Sequence, residues 1–256
     1  MALAPPAPDV LNFAARVAAA YTKLIASPHA DPEIGLGGQL FYAGDLDDEG
    51  RALVVAANIA GAATLVASAN PTAQKQAIRD GVADFLVTSL DEALRILKNQ
   101  LRKRETAAVC VAIEPAEMER EMEERGVAPD ILRREASVAA IHEAVEKEAF
   151  DETDPALIPA LVIWQVESAR HQSLAKLDEI ALQCLDDGDW ISRRWLHQAP
   201  RYLGRMAQGL RLLSTHREFY ARFAEQIRAC ADRGEIAFSC EVLSFRQGEL
   251  HDQVKF

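Results

Sequence analysis

The sequence predicts an α/β protein, a three-layer parallel sheet followed by a mainly helical C-terminal extension. Three observations predict it. Between residues 39 and 132 the chain carries short apolar runs with no polar alternation, as strands covered on both faces do. Helical stretches of about ten residues separate those runs, and crossovers of that length join parallel neighbours. Gly, Pro, Asn and Ser mark the boundaries between the two kinds of segment.

Taken in order, residues 10–27 (VLNFAARVAAAYTKLIAS) have the 3.6-residue periodicity of a helix, and residues 28–38 (PHADPEIGLGG) form a loop. Gln39–Ala43 (QLFYA) reads as a first buried strand turning at Gly44, and Arg51–Ala60 as the helix after it. Ala63–Ser68 (ATLVAS) is a second strand. Asn70-Pro71 starts a helix to about Asp80, because Asn caps and Pro suits the first turn. Ala83–Thr88 (ADFLVT) is a third strand, and Ser89 with Glu92 makes a capping box for Leu90–Arg102. Ala107–Ile113 (AAVCVAI) is a fourth strand, Pro115–Arg125 a charged helix ended by Gly126, and Val127–Leu132 (VAPDIL) a short fifth strand.

Further along, Glu135–Phe150 reads as a helix and Asp151–Pro155 (DETDP) as an acidic break. Ala156–Val166 (ALIPALVIWQV) is open between strand and buried helix, with Pro159 against a central strand. Residues 168–186 and 190–232 read as helices, and Ile236–Phe245 as a terminal strand. The expected division is residues 1–37 for an N-terminal helix and loop, 38–150 for the sheet domain, and 151–256 for the helical region.

Composition excludes several classes. The 256 residues are 49% hydrophobic and 26% charged, ordinary for a globular chain long enough to bury a core. The stretch Val10–Ala26 is interrupted by Asn12, Arg16 and Lys23, so no membrane span is expected, and MALAPPAPD lacks the basic start of a secretory leader. Cys110, Cys184, Cys230 and Cys240 have no CxxC spacing, which points to reduced thiols and a cytoplasmic protein. A net charge of −11 argues against nucleic acid. Residues 190–230 are the exception, with eight Arg against Glu218 and Glu225. That basic segment is either a solvated or internally paired helical face or a site for an anionic group. Its aromatic residues, Trp190, Trp195, Tyr202, Phe219, Tyr220 and Phe223, read as a core stripe, with an arginine-lined ring pocket as the alternative.

His29, His142, His171, His197, His216 and His251 show no HxxxH or HExxH arrangement, and no G-x-S-x-G or Walker loop occurs. The loop Gly44-Asp45-Leu46-Asp47-Asp48-Glu49-Gly50 is the richest candidate. Its glycines suit a turn after a strand and a close helix approach, or the approach of backbone to a phosphate. Its carboxylates form a solvated loop, or else a seat for a hard cation.

Residues 38–132 resemble the Rossmann-like NAD-binding domain of urocanase, urocanate hydratase. The resemblance is carried in order by Gln39–Ala56 (QLFYAGDLDDEGRALVVA), Ile59–Pro71 (IAGAATLVASANP), Ser89–Leu94 (SLDEAL) and Val109–Asp130, ending RGVAPD. It implies a Rossmann-like sheet, and NAD bound as an electrophile that bonds to the substrate imidazole. By the same resemblance the cofactor-binding positions are Gly44 and Gly50 in the phosphate loop and Ser68 and Asn70 after the second strand. This chain departs from the family at those places. Side chains replace the inner glycines, and Ser68 and Asn70 replace an acidic pair. Ile113-Glu114 replaces a Gly-Asn pair, Arg133-Arg134-Glu135 replaces an acidic-polar run, and the family's catalytic segment has no counterpart. The expectation is therefore a urocanase-like protein in histidine-catabolism ancestry without urocanate hydratase activity, serving as a scaffold or small-ligand binder. The alternative is an NAD-dependent or other nucleotide-binding lyase. The expected partners are a small-molecule ligand and a second copy of the chain, as a homodimer, with no nucleic acid and no membrane.

Overall fold

The computed structural model describes residues 8–137, 160–166, 173–203, 210–215, 217–246 and 249–256. The chain divides into two compact units, residues 16–147 and residues 1–15 with 148–256, the division falling within helix α1 (Pro8–Ile25).

The first unit is a parallel α/β sheet. Its strands are β1 (Leu40–Asp45), β2 (Ala63–Ala67), β3 (Phe85–Val87), β4 (Ala107–Val111) and β5 (Ile131–Leu132), in the spatial order β3-β4-β2-β1-β5. Every neighbouring pair is parallel. The crossovers are α2 (Asp48–Ala60), α3 (Pro71–Asp80), α4 (Leu90–Lys103) and α5 (Pro115–Glu124). The reading of an α/β, Rossmann-like parallel sheet thus holds. β2 and β4 are buried along their whole length, which is why their sequences show no alternation. Leu65, Leu90, Leu97, Val109, Val111, Met118 and Met122 form the core on the face that also takes Tyr42.

The helix signals act as the sequence suggests. Asn70 Oδ1 accepts from the Thr72 and Ala73 N–H groups at 2.9 and 3.3 Å, and Pro71 follows. Ser89 Oγ accepts from Glu92 N at 3.4 Å, but the expected capping box is only half formed, because the Glu92 carboxylate accepts from Thr88 N–H at 3.0 Å and not from Ser89 N–H. α2 begins three residues earlier than the apolar pattern suggests, because Asp47 caps it and draws Asp48, Glu49 and Gly50 into its first turn.

The second unit holds a four-stranded sheet, β6 (Ala160–Val166), β7 (Leu210–Thr215), β8 (Cys240–Arg246) and β9 (Glu249–Lys255), in the order β7-β6-β8-β9. All its pairings are antiparallel. Helices α7 (Leu174–Cys184), α8 (Trp190–Tyr202) and α9 (Arg217–Asp232) accompany it. Trp164 is fully buried, with Phe223 edge-on at 5.0 Å and Phe223 stacked on Phe219 at 5.4 Å. The helical reading of 190–232 therefore breaks at Leu210–Thr215, where pairing along β6 makes LRLLST a strand. The ambiguity at 156–166 resolves to strand for Ala160–Val166. The strand expected last is followed by β9, its hairpin partner. Of the helix expected over Glu135–Phe150, the one-turn α6 (Arg133–Ala136) spans the start. Residues 138–150, the break at Asp151–Pro155, and His142, His171 and His216 lie outside the described residues.

Candidate functional site

The loop from β1 into α2 is built around its two glycines. Gly44 sits at φ +74, in the region that favours glycine, where the β1–β2 register shifts between Tyr42 and Asp45. A Cβ at Gly44 would stand 3.0 Å from Arg133 Cδ. Gly50 lies in the first turn of α2, where a Cβ would come within 1.8 Å of the Asp45 carbonyl oxygen. Both glycines thus have a local structural role.

Two of the loop amides are already engaged. Gly50 N–H donates to Asp47 Oδ1 at 2.7 Å, and Leu46 N–H donates to Asp45 Oδ1 at 2.7 Å. Arg133, the first residue of α6 after β5, lies over the loop. Its Nη2 donates to Asp47 Oδ2 at 2.8 Å and Glu49 Oε2 at 2.7 Å, and its Nη1 to the carbonyls of Ala43 and Asp45 at 3.4 Å. Ser137 Oγ donates to Glu49 Oε1 at 2.5 Å. Burial works against the Arg133 charge, but the carboxylates of Asp47 and Glu49 outweigh it and hold its pKa above the usual arginine value.

Ser68 and Asn70 are also engaged locally. Ser68 is buried, its Oγ accepts from Asn70 N–H at 3.4 Å, and its carbonyl accepts from Gln74 Nε2 at 2.6 Å. The Asn70 amide caps α3. Glu114 precedes α5 and makes no side-chain cap. A dinucleotide needs free loop amides for its diphosphate and hydroxyl acceptors at the second strand. The residues present do not fit that group: carboxylates take the amides at Leu46 and Gly50, and a guanidinium covers the loop.

Beyond Arg133 the carboxyl ends of β1 and β5 and the side of α5 enclose an open crevice of about 670 Å³. Its wall includes Met122, Val127 and Leu132, with Tyr42 beneath and Glu119, Glu123 and Arg134 around it. Tyr42 is buried, and its hydroxyl donates to the Pro115 carbonyl at 3.4 Å. Burial, then the Glu119 charge, pushes this phenol well above its ordinary value, so it stays protonated. Sequence reasoning singled out none of Tyr42, Glu119 or Glu123. The available signal was a double change of charge: the phosphate loop turns acidic where the stretch after β5 turns basic.

The other candidates resolve simply. Among the described residues no group of three or more His, Cys, Asp or Glu is placed to hold a metal ion, and the cation that Asp47 and Glu49 meet is Arg133. The basic segment is largely paired within its own unit. Arg211 bonds Asp178 at 3.0 Å, Arg222 bonds Asp186 at 3.0 Å, and Arg193 donates to the Leu185 carbonyl at 3.1 Å. Arg201 lies over the Tyr202 ring and Arg228 over Phe256. The four cysteines are buried, and burial, with a smaller push from Asp45, raises the Cys110 thiol to about 12. No helix of the described residues is long and apolar enough to cross a membrane.

Comparison with known proteins agrees with the sheet. S-methyl thiourocanate hydratase from a Variovorax sp. is 27% identical over 103 residues, which cover 40% of this chain and 19% of that protein. The match thus spans about a fifth of the length of this curated relative. The urocanase Rossmann-like domain family matches residues 19–147, half of the chain and nearly all of the parallel-sheet unit. The chain belongs to the urocanase family through this Rossmann-like domain.

Proposed function

We propose that this chain is a urocanase-family protein that neither binds NAD nor hydrates urocanate, and that its Rossmann-like sheet serves as a small-ligand-binding scaffold. One observation carries the reading: Arg133 is clamped by Asp47 and Glu49 across the loop that would hold a diphosphate. A phosphate entering there would meet two carboxylates, and the N–H donors of Leu46 and Gly50 already have acceptors on the protein. Like-charge approach and desolvation both oppose it. The crevice at the carboxyl edge of the sheet is the ligand site of the scaffold, where open α/β sheets bind ligands. A lyase of the kind named for the Variovorax relative would need groups from outside the matched segment.

Thermal unfolding of the full chain with NAD, NADP, ATP and urocanate tests this. The expected result is no rise in Tm with about 1 mM of any of them, and no loss of urocanate absorbance on incubation with NAD. A rise of several degrees with NAD, or consumption of urocanate, overturns the proposal.

A further inference from the structure

The crevice beside the closed loop has an apolar wall and an uneven charge. Arg133 projects toward it, but Asp47 and Glu49 compensate its guanidinium. Arg134 lines the same crevice as Glu119 and Glu123, which stand one turn apart on α5. The remaining cations of that helix are turned elsewhere: Arg120 pairs with Glu117 and Glu124 at 3.9 Å, and Arg125 pairs with Glu121 and Asp91. Among the described residues neither Glu119 nor Glu123 has an ion pair. Two carboxylates on a concave, partly apolar wall focus negative potential into the space before them. The volume falls in the range of about 300–1,000 Å³ common to small-molecule sites.

We propose that this crevice binds a small organic cation, an apolar ring or short chain carrying a protonated amine, with its body against Met122 and Leu132 and its charge at Glu119 and Glu123. The proposal rests on the reading above, because only a closed phosphate loop leaves Arg133 compensated. An anion of the same size would meet Arg134 at the cost of two facing carboxylates, whereas the cation gains both.

The test uses the full chain with 2-phenylethylammonium and, as an anion of matched shape, 3-phenylpropionate, each at about 10 mM. The ammonium compound should raise Tm by about 2 °C and the carboxylate should not. The shift should vanish in the double variant Glu119→Gln, Glu123→Gln. It should persist in Glu124→Gln, which sits on the same helix, pairs with Arg120 and does not line the crevice. All three glutamates are exposed, so the variants should match the parent in far-UV circular dichroism and in Tm without ligand. An equal or larger shift with the carboxylate, no shift with the ammonium compound, or a shift that survives the double variant overturns the proposal. Failure here with NAD silent removes only the ligand class, while a shift with NAD removes the underlying reading whatever the amine does.

Discussion

Arg133 decides what the β1 loop can do. Its guanidinium is three-quarters buried, at 26% side-chain exposure, and it bonds two carboxylates and two backbone carbonyls. Charge-assisted bonds of this kind are shorter and stronger than neutral ones, and removing one partner leaves the other with its desolvation penalty. Arg133→Met should therefore leave Asp47 and Glu49 facing each other without a counter-ion. We expect a loss of about 1–3 kcal/mol in urea unfolding, recovered in part by adding Asp47→Asn and Glu49→Gln. Additive losses in the triple variant would show that the three side chains do not act as one network. The same experiment bears on ligand choice, because Arg133→Met alone makes the loop more acidic and should not admit NAD.

At the level of the element, Asn70 separates two roles that one residue could hold. The family resemblance places it where a ribose would lie, whereas its amide is engaged at the first turn of α3. Asn70→Ala should cost about 1 kcal/mol of stability, the usual loss for a cap. Asn70→Asp should restore most of it, since Asp caps as well as Asn. If Asn70→Ala leaves the urea midpoint unchanged, the cap does not hold α3. The elements themselves were largely legible. Asn70-Pro71, Ser89 and the apolar runs at β2 and β4 carry local signals that the structure obeys. β7 was not legible, because Leu210–Thr215 lies between helical patterns and becomes a strand only through long-range pairing with β6. β9 was hidden for a related reason: ELHDQVK carries little apolar signal, and its pairing with β8 supplies the order. The start of α2 was missed because Asp47 reads as loop acid and acts as a cap. The crevice was invisible for a topological reason. Tyr42, Glu119 and Arg134 line one crevice only because the sheet places β5 beside β1, and no local window contains that order.

Across the whole molecule, proton binding links two units whose acid responses can be read apart. Trp164, Trp190 and Trp195 all lie within residues 148–256, so tryptophan fluorescence reports that unit while circular dichroism reports both. In that unit Glu241 is a buried carboxylate on β8, 3% exposed. It accepts from Gln165 Nε2 at 2.6 Å and from Gln253, and pairs with Lys255 at 3.2 Å. Burial pushes its carboxyl up, but those donors and the Lys255 charge outweigh burial and hold it below the usual carboxylate range. A folded-state value below the unfolded one gives stability that is present above the unfolded pKa and lost as pH falls through the folded pKa. Asp178 runs the other way. Burial raises its carboxyl against the opposing pull of Arg211 and Trp164, so its contribution is full below the unfolded pKa and is lost as pH rises through the folded one. Asp178 is unchanged in Glu241→Gln, so the difference between parent and variant isolates Glu241. At neutral pH the variant should be less stable by about 1–3 kcal/mol, because Lys255 and the two glutamine amides lose their shared anion. As pH falls below the ordinary carboxylate range the parent protonates Glu241, and the two tryptophan-monitored stabilities should converge. A gap that stays constant from neutral to acid pH would mean that Glu241 is not held as an anion in the folded sheet.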